Sequence, residues 1–185
     1  MKVLETVLAK FIGVERFLAK HVMKSSEYSF SQDYVFDRLH LWTQYLSQMR
    51  GKENIHLLEV GSYEGRSAIW FLESILTHPS STITCIDLFF SRMAEVRFDH
   101  NVAVSGASNR VIKITGRSQE ILRLLRHASY DVIYIDGSHR AVDVQADASF
   151  SWPLLKPSGV LIFDDYLWNM ELPLKIGHRW RLIVF

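Results

Sequence analysis

The segment "YDVIYIDGSHR" (130–140) ends an apolar run, Val132 to Ile135, on a carboxylate, two small residues and a histidine. Such an ending puts Asp136 and His139 where a strand opens onto solvent or onto a ligand. A carboxylate there can hold a cation or orient a hydroxyl, and an imidazole can take a proton at neutral pH. A second apolar run, "GVLIF", ends on Asp164 and Asp165. If the two runs are neighbouring strands, Asp136, Asp164 and Asp165 converge. Three uncompensated carboxylates repel one another, and an oxygen-only set suits Mg²⁺, Mn²⁺ or Ca²⁺ better than zinc. A polar strand-end rim is the alternative.

An earlier loop, "EVGSYEGRS" (59–67), carries two glycines. Gly61 and Gly65 permit a tight turn and close approach to a ligand, and the helix that follows would aim its N-terminus at that ligand. A dinucleotide fingerprint needs a second glycine where Tyr63 stands, and Glu59 and Glu64 disfavour a pyrophosphate. A cationic ligand suits this loop better. Asp87, closing "TITCID", can accept hydrogen bonds from both hydroxyls of a ribose. In "TGRSQEI", Gly116 turns the chain, and Ser118 either caps the next helix or meets a nucleobase.

Positioning these residues requires a sheet. Strands are expected at 55–60, 82–87, 110–115, 131–136 and 159–164, alternating with helices near 65–77, 91–104, 118–127 and 139–152. Strands that read as continuous apolar runs are buried on both faces, as in a parallel sheet covered by helices. The fold class is α/β, a doubly wound, mostly parallel sheet. Residues 1–50 are expected to form an N-terminal helical extension, and residues 51–185 the main domain. The extension begins with an amphipathic helix built on Val3, Leu4, Val7, Leu8, Phe11, Ile12, Val14, Phe17 and Leu18, and continues with a helix from about Asp33 to Met49. After Asp165 only 20 residues remain, with "RWRLIVF" able to form one more strand, so a C-terminal strand hairpin is expected to be incomplete.

Composition narrows the function classes. A chain of 185 residues fits one ordinary domain. Its 21 basic and 20 acidic residues leave a net charge of +1 with no basic stripe, which argues against nucleic acid. The single cysteine, Cys85, excludes an intrachain disulfide, reads as a buried strand residue, and points to a reducing, cytoplasmic setting. Glu5, Lys10, Glu15, Arg16 and Lys20 interrupt the apolar N-terminus, so no membrane span is expected there.

Taken together, "LLEVGSYEGRSAIWF", "TITCIDLF", "ITGRSQEIL", "YDVIYIDGSH" and "LLKPSGVLIFDDY" resemble the class I S-adenosylmethionine-dependent methyltransferases over about residues 54 to 166. Within that superfamily the chain looks most like the metal-assisted small-molecule O-methyltransferases of catechol and macrolide-sugar type. The resemblance implies a Rossmann-like sheet. It places Glu59, Gly61, Ser62, Tyr63 and Gly65 in the loop that receives the methionine end of the cofactor. Asp87 would hold the ribose, Ser118 and Gln119 would approach the adenine, and Asp136 would border the cofactor. Asp136, Asp164 and Asp165 match metal-ligand positions, for Mg²⁺ in particular, although catechol-type enzymes commonly have Asn where Asp165 stands. His139 falls where those enzymes keep a lysine base, and Asp136 and His139 would carry the chemistry. Tyr166 and Trp168 are candidates to wall the acceptor pocket.

The function so implied is methyl transfer to a hydroxyl of a sugar or polyhydroxylated natural product, assisted by a divalent metal. The alternative is a methyltransferase-fold protein that binds cofactor or a partner without turnover. A dehydrogenase is disfavoured by Tyr63 and Glu64. An open sheet edge and the N-terminal helices are the surfaces expected to support a homo-oligomer.

Overall fold

The computed structural model describes residues 27–164 and 182–184. The expected first helix, together with Asp165, Tyr166 and Trp168, lies outside the described residues. Helix α1 (Leu39–Leu46) is flanked by 3₁₀ turns at Phe36–Arg38 and Ser47–Met49. There follow β1 (His56–Val60), α2 (Arg66–Ser74), β2 (Thr82–Asp87), α3 (Arg92–Ser105) and β3 (Val111–Thr115). The remainder comprises α4 (Ser118–Ile121), β4 (Tyr130–Ile135), α5 (Ala141–Ser151), β5 (Leu155–Phe163) and β6 (Leu182–Val184).

The sheet has strand order β3-β2-β1-β4-β5-β6. The first five strands run parallel, and β6 pairs antiparallel with β5. Alternation along the central strands divides the core in two. Leu57, Ile83, Val132 and Tyr134 face one layer, with Trp42, Trp70, Phe71 and Phe98. Leu58, Val60, Ile86, Ile133 and Ile135 face the other, with Leu122 and Leu154. Both faces are covered, which is why these strands read as unbroken apolar runs.

Two elements differ from expectation. The helix expected over 118–127 is α4 followed by a single 3₁₀ turn, Leu122–Leu124, after which Leu125 is extended. Strand β5 starts four residues earlier than expected, at Leu155 rather than 159. Pro157, Ser158 and Gly159 look like a turn in the sequence, but they sit inside the strand. The β4–β5 register shifts between Tyr130 and Val132 to accommodate them, and Ser158 has φ 63°.

Helix α1 is part of this core. Trp42 stacks on Phe71 with ring centroids 4.8 Å apart and meets Tyr134 edge-on at 5.0 Å. Both residues are buried, so α1 is fixed over the C-terminal end of β4. Among the described residues no helix is long and apolar enough to cross a membrane. Truncating Trp42 to Ala should destabilise the protein by about 3–5 kcal/mol in urea unfolding. A loss below about 1 kcal/mol would mean that the aromatic cluster does not anchor α1.

Candidate active site

At the carboxyl end of the sheet the parallel ladder continues one residue past each strand. Gly61 N–H donates to Ile86 O (2.8 Å), Asp136 N–H to Val60 O (2.7 Å), Asp164 N–H to Ile135 O (2.9 Å) and Gly116 N–H to Asp87 O (2.9 Å). All five loops therefore leave the sheet at one level. The strand order reverses between β1 and β4, and crevices outside such switch points are where open α/β sheets bind ligands. A cleft of about 1070 Å³ lies there, with Gly61, Asp87, Gly116, Asp136 and Asp164 along its floor and Tyr34, Tyr63, Phe90 and His139 around it.

Gly61 has φ 88°, and a Cβ placed on it would overlap the Asp136 carbonyl and lie 2.7 Å from Gly137 Cα. Only glycine lets the first loop pass β4 this closely. The same loop is tied to β2, because Asp87 Oδ2 accepts the amides of Ser62 (2.9 Å) and Tyr63 (2.8 Å). Asp87 Oδ1 accepts the Phe89 amide at 2.7 Å.

The carboxylates of the loop turn away from the cleft, which corrects the sequence argument that they set its charge. Glu64 is buried and accepts from Arg97 Nη1 and from the Ser31 amide, both at 2.6 Å. Burial alone would raise its pKa, but the Ser31 amide and Arg97 outweigh that and leave it below the usual carboxylate range. Asn101 bonds to Ser29 and to the Glu64 carbonyl, and Arg66 pairs with Asp33 at 2.9 Å, so residues 29–33 are strapped across the loop. Glu59 lies beneath the loop, fully buried, and accepts the Ser67 hydroxyl at 2.5 Å. Burial pushes its carboxyl up to about 7, against partial relief from hydroxyl hydrogen bonding.

The floor beneath β4 and β5 is a network of four side chains. Tyr134 is buried, and its hydroxyl lies 2.7 Å from Asp164 Oδ2 and 2.9 Å from Asp136 Oδ2. Arg38, from the turn before α1, places Nε 3.0 Å from Asp164 Oδ1. Burial and the two aspartates push the Tyr134 phenol well above its ordinary pKa, so it stays protonated and donates. This arrangement bears on the expected metal set. Asp136 and Asp164 do converge, while Asp165 lies outside the described residues. Among the described residues no group of three or more His, Cys, Asp and Glu side chains could hold a metal ion. Both Asp164 oxygens are engaged, one by a guanidinium, so a divalent ion does not fit here without displacing Arg38.

Of the other expected site residues, Gly61, Tyr63, Asp87, Ser118, Gln119, Asp136 and His139 line the cleft. Glu59, Ser62 and Gly65 do not line it and act from behind the loop. Ser118 does not cap its helix. The N-cap is Arg117, and the Ser118 hydroxyl donates to Asp147 Oδ1 at 2.7 Å. Sequence reasoning missed Arg38, Tyr134 and Asp147. The alternation of β4 offered one signal, since it buries Tyr134 with its phenol level with the strand-end aspartates.

Fold and site together define an α/β protein of the Rossmann-like kind with a cleft at the switch point of its sheet. A methyltransferase domain family matches residues 58–166, and the chain belongs to that family. A Mycobacterium tuberculosis (strain H37Rv) protein described as a probable O-methyltransferase is 32% identical over 104 residues, 56% of this chain and 44% of its own. The chain spans less than half the length, 44–46%, of the curated relatives it matches. Among solved structures, the O-methyltransferase of tomaymycin synthesis from Streptomyces achromogenes, in complex with SAM, aligns with TM-score 0.57 at 21% identity, covering 73% of this chain and 59% of that one. An O-methyltransferase from Bacillus cereus, in complex with SAH, aligns with TM-score 0.57 at 18% identity, covering 81% and 64%. These likenesses bear out the expected fold.

Two outcomes follow from this geometry. Gly61→Ala should cost more than about 3 kcal/mol in chemical denaturation, because backbone rather than a flexible side chain blocks the new methyl. The raised Glu59 pKa means that the folded state binds this proton more tightly than the unfolded state. Its stabilising contribution is present below the ordinary 4.5 and lost as pH rises through about 7. Stability curves of wild type and Glu59→Gln should therefore diverge by roughly 3 kcal/mol over that window, and parallel curves would contradict the assignment.

Proposed function

We propose that the cleft binds S-adenosylmethionine and that the protein transfers its methyl group to a hydroxyl of a small polyhydroxylated acceptor, a sugar or a comparable natural product. The observation that carries this reading is Asp87. It fastens the glycine loop through Oδ2, while Oδ1, which accepts one amide from the described residues, keeps capacity for a ribose hydroxyl. Leu88 and Phe90, 39% and 90% exposed beside it, offer apolar surface for a nucleobase, and Gln119 offers a polar edge. The residues present thus fit the cofactor. The bound forms named for the Streptomyces and Bacillus structures support the same reading.

When bound, the cofactor supplies a methyl already activated on a sulfonium. The remaining work is orientation and removal of one proton. Asp136 accepts a hydrogen bond from a neighbouring hydroxyl of the acceptor and so aims the reacting oxygen into the cleft. His139, at the rim ahead of α5, takes the hydroxyl proton on a ring nitrogen and releases it to solvent. Tyr34 and Tyr63, in edge-on contact with centroids 6.4 Å apart, offer aromatic surface to the cleft. The divalent ion implied by the resemblance has no part in these steps, because Arg38 occupies the position of the counter-charge.

Labelled methyl transfer from S-adenosylmethionine to a panel of sugars and vicinal diols tests this function. His139→Ala should lower kcat by about 10²-fold or more with the cofactor KM little changed. Asp87→Asn should raise the cofactor KM by about tenfold or more, since a charge-assisted acceptor is lost. Cofactor binding without transfer to any acceptor would favour a non-catalytic binding protein. Absence of binding would overturn the reading.

A further inference from the structure

The floor network poses an electrostatic question that the transfer chemistry leaves open. Two carboxylates, Asp136 and Asp164, lie within hydrogen-bond reach of one phenol oxygen, and Asp164 is only 7% exposed. A phenol has a single proton to donate, so Tyr134 alone cannot satisfy both. Burying the second carboxylate requires a positive charge nearby. That charge is Arg38, itself 8% exposed, reaching the floor from the turn that leads into α1. The stacking of Trp42 on Phe71 and against Tyr134 fixes this turn, so the guanidinium is delivered by the fold and not by a mobile surface chain.

We infer that Arg38 is the resident cation of the Asp136–Tyr134–Asp164 floor, and that it makes the site independent of divalent metal. It is a positioning residue. By holding Asp164 on Oδ1 while the Tyr134 hydroxyl bridges Asp164 Oδ2 and Asp136 Oδ2, it fixes the relative placement of the two carboxylates. Mg²⁺ would need oxygens at about 2.0–2.1 Å in near-octahedral array, and a guanidinium already stands on one of the two described carboxylates. The activity consequence rests on the methyl-transfer reading, whereas the cation-binding consequence does not.

The test is calorimetric titration of Mg²⁺, and separately of Mn²⁺, into the full chain, alongside titration of S-adenosylhomocysteine with and without EDTA. Wild type should give no Mg²⁺ isotherm up to ~1 mM, and EDTA should leave S-adenosylhomocysteine affinity unchanged. Arg38→Ala vacates the cation position and should acquire a weak Mg²⁺ isotherm that a second change, Asp164→Asn, removes. A general loss of packing would not produce that gain. Arg38→Lys keeps a charge at the cation position and should, like wild type, give no Mg²⁺ isotherm; a stoichiometric isotherm in this variant would count against the inference if Arg38→Ala does not fold. A stoichiometric Mg²⁺ isotherm in wild type that Asp164→Asn abolishes would overturn it, as would a fall of about tenfold in S-adenosylhomocysteine affinity on adding EDTA. Failure of S-adenosylhomocysteine to bind under any condition would instead count against the methyl-transfer reading and leave the metal titrations to decide the role of Arg38.

Discussion

The close passage of Gly61 over the carbonyl of Asp136 is the constraint on which the cleft depends. It lets β1 and β4 lie side by side to their last residue, so that the loops after them diverge from one point. The loop after β1 then swings toward β2, where Asp87 catches two of its amides. The loop after β4 swings the other way and carries His139 to the opposite rim. A side chain at position 61 would separate the strands at the switch point, and the binding loop, the strand-end acid and the proposed base would no longer share one cavity.

Around that point four carboxylates among the described residues are buried, Glu59, Glu64, Asp147 and Asp164, and each is handled differently. Glu64 is neutralised by Arg97 and used as a clamp on the segment around Ser31. Glu59 has no cation among the described residues, and its carboxyl is driven toward neutrality by burial. Asp147 accepts the Ser118 hydroxyl, with burial raising its pKa, and thereby sets the orientation of a cleft-lining residue. Asp164 is paired with Arg38 and bridged by Tyr134. Among the described residues Asp87 and Asp136 line the cleft at the ends of β2 and β4, and they are the acids proposed to meet a ligand.

The sheet was legible in the sequence because its central strands are buried on both faces and their apolar runs stop at the level where the cleft opens. The positions of Gly61, Asp87, Asp136 and Asp164 followed from those endings. What escaped was every feature that depends on partners distant in the chain. Glu64 looks like a cleft carboxylate until Arg97 and Ser31 are seen to claim it. Ser118 has the composition and place of an N-cap, yet a buried aspartate on α5 takes its hydroxyl. Tyr134 reads as one more apolar strand residue, and nothing near Arg38 in sequence points to Asp164. The start of β5 reads as 159 in the sequence rather than Leu155 because local propensity around Pro157 and Ser158 yields there to pairing with β4.

A crystal structure of the protein grown with S-adenosylhomocysteine tests the central claim most directly. The account predicts the ribose hydroxyls within hydrogen-bond distance of Asp87, the base against Leu88 and Gln119, and the sulfur above Gly61 facing Asp136. A ligand bound away from Asp87, or a cleft that excludes it while Asp87 still holds the glycine loop, would contradict it.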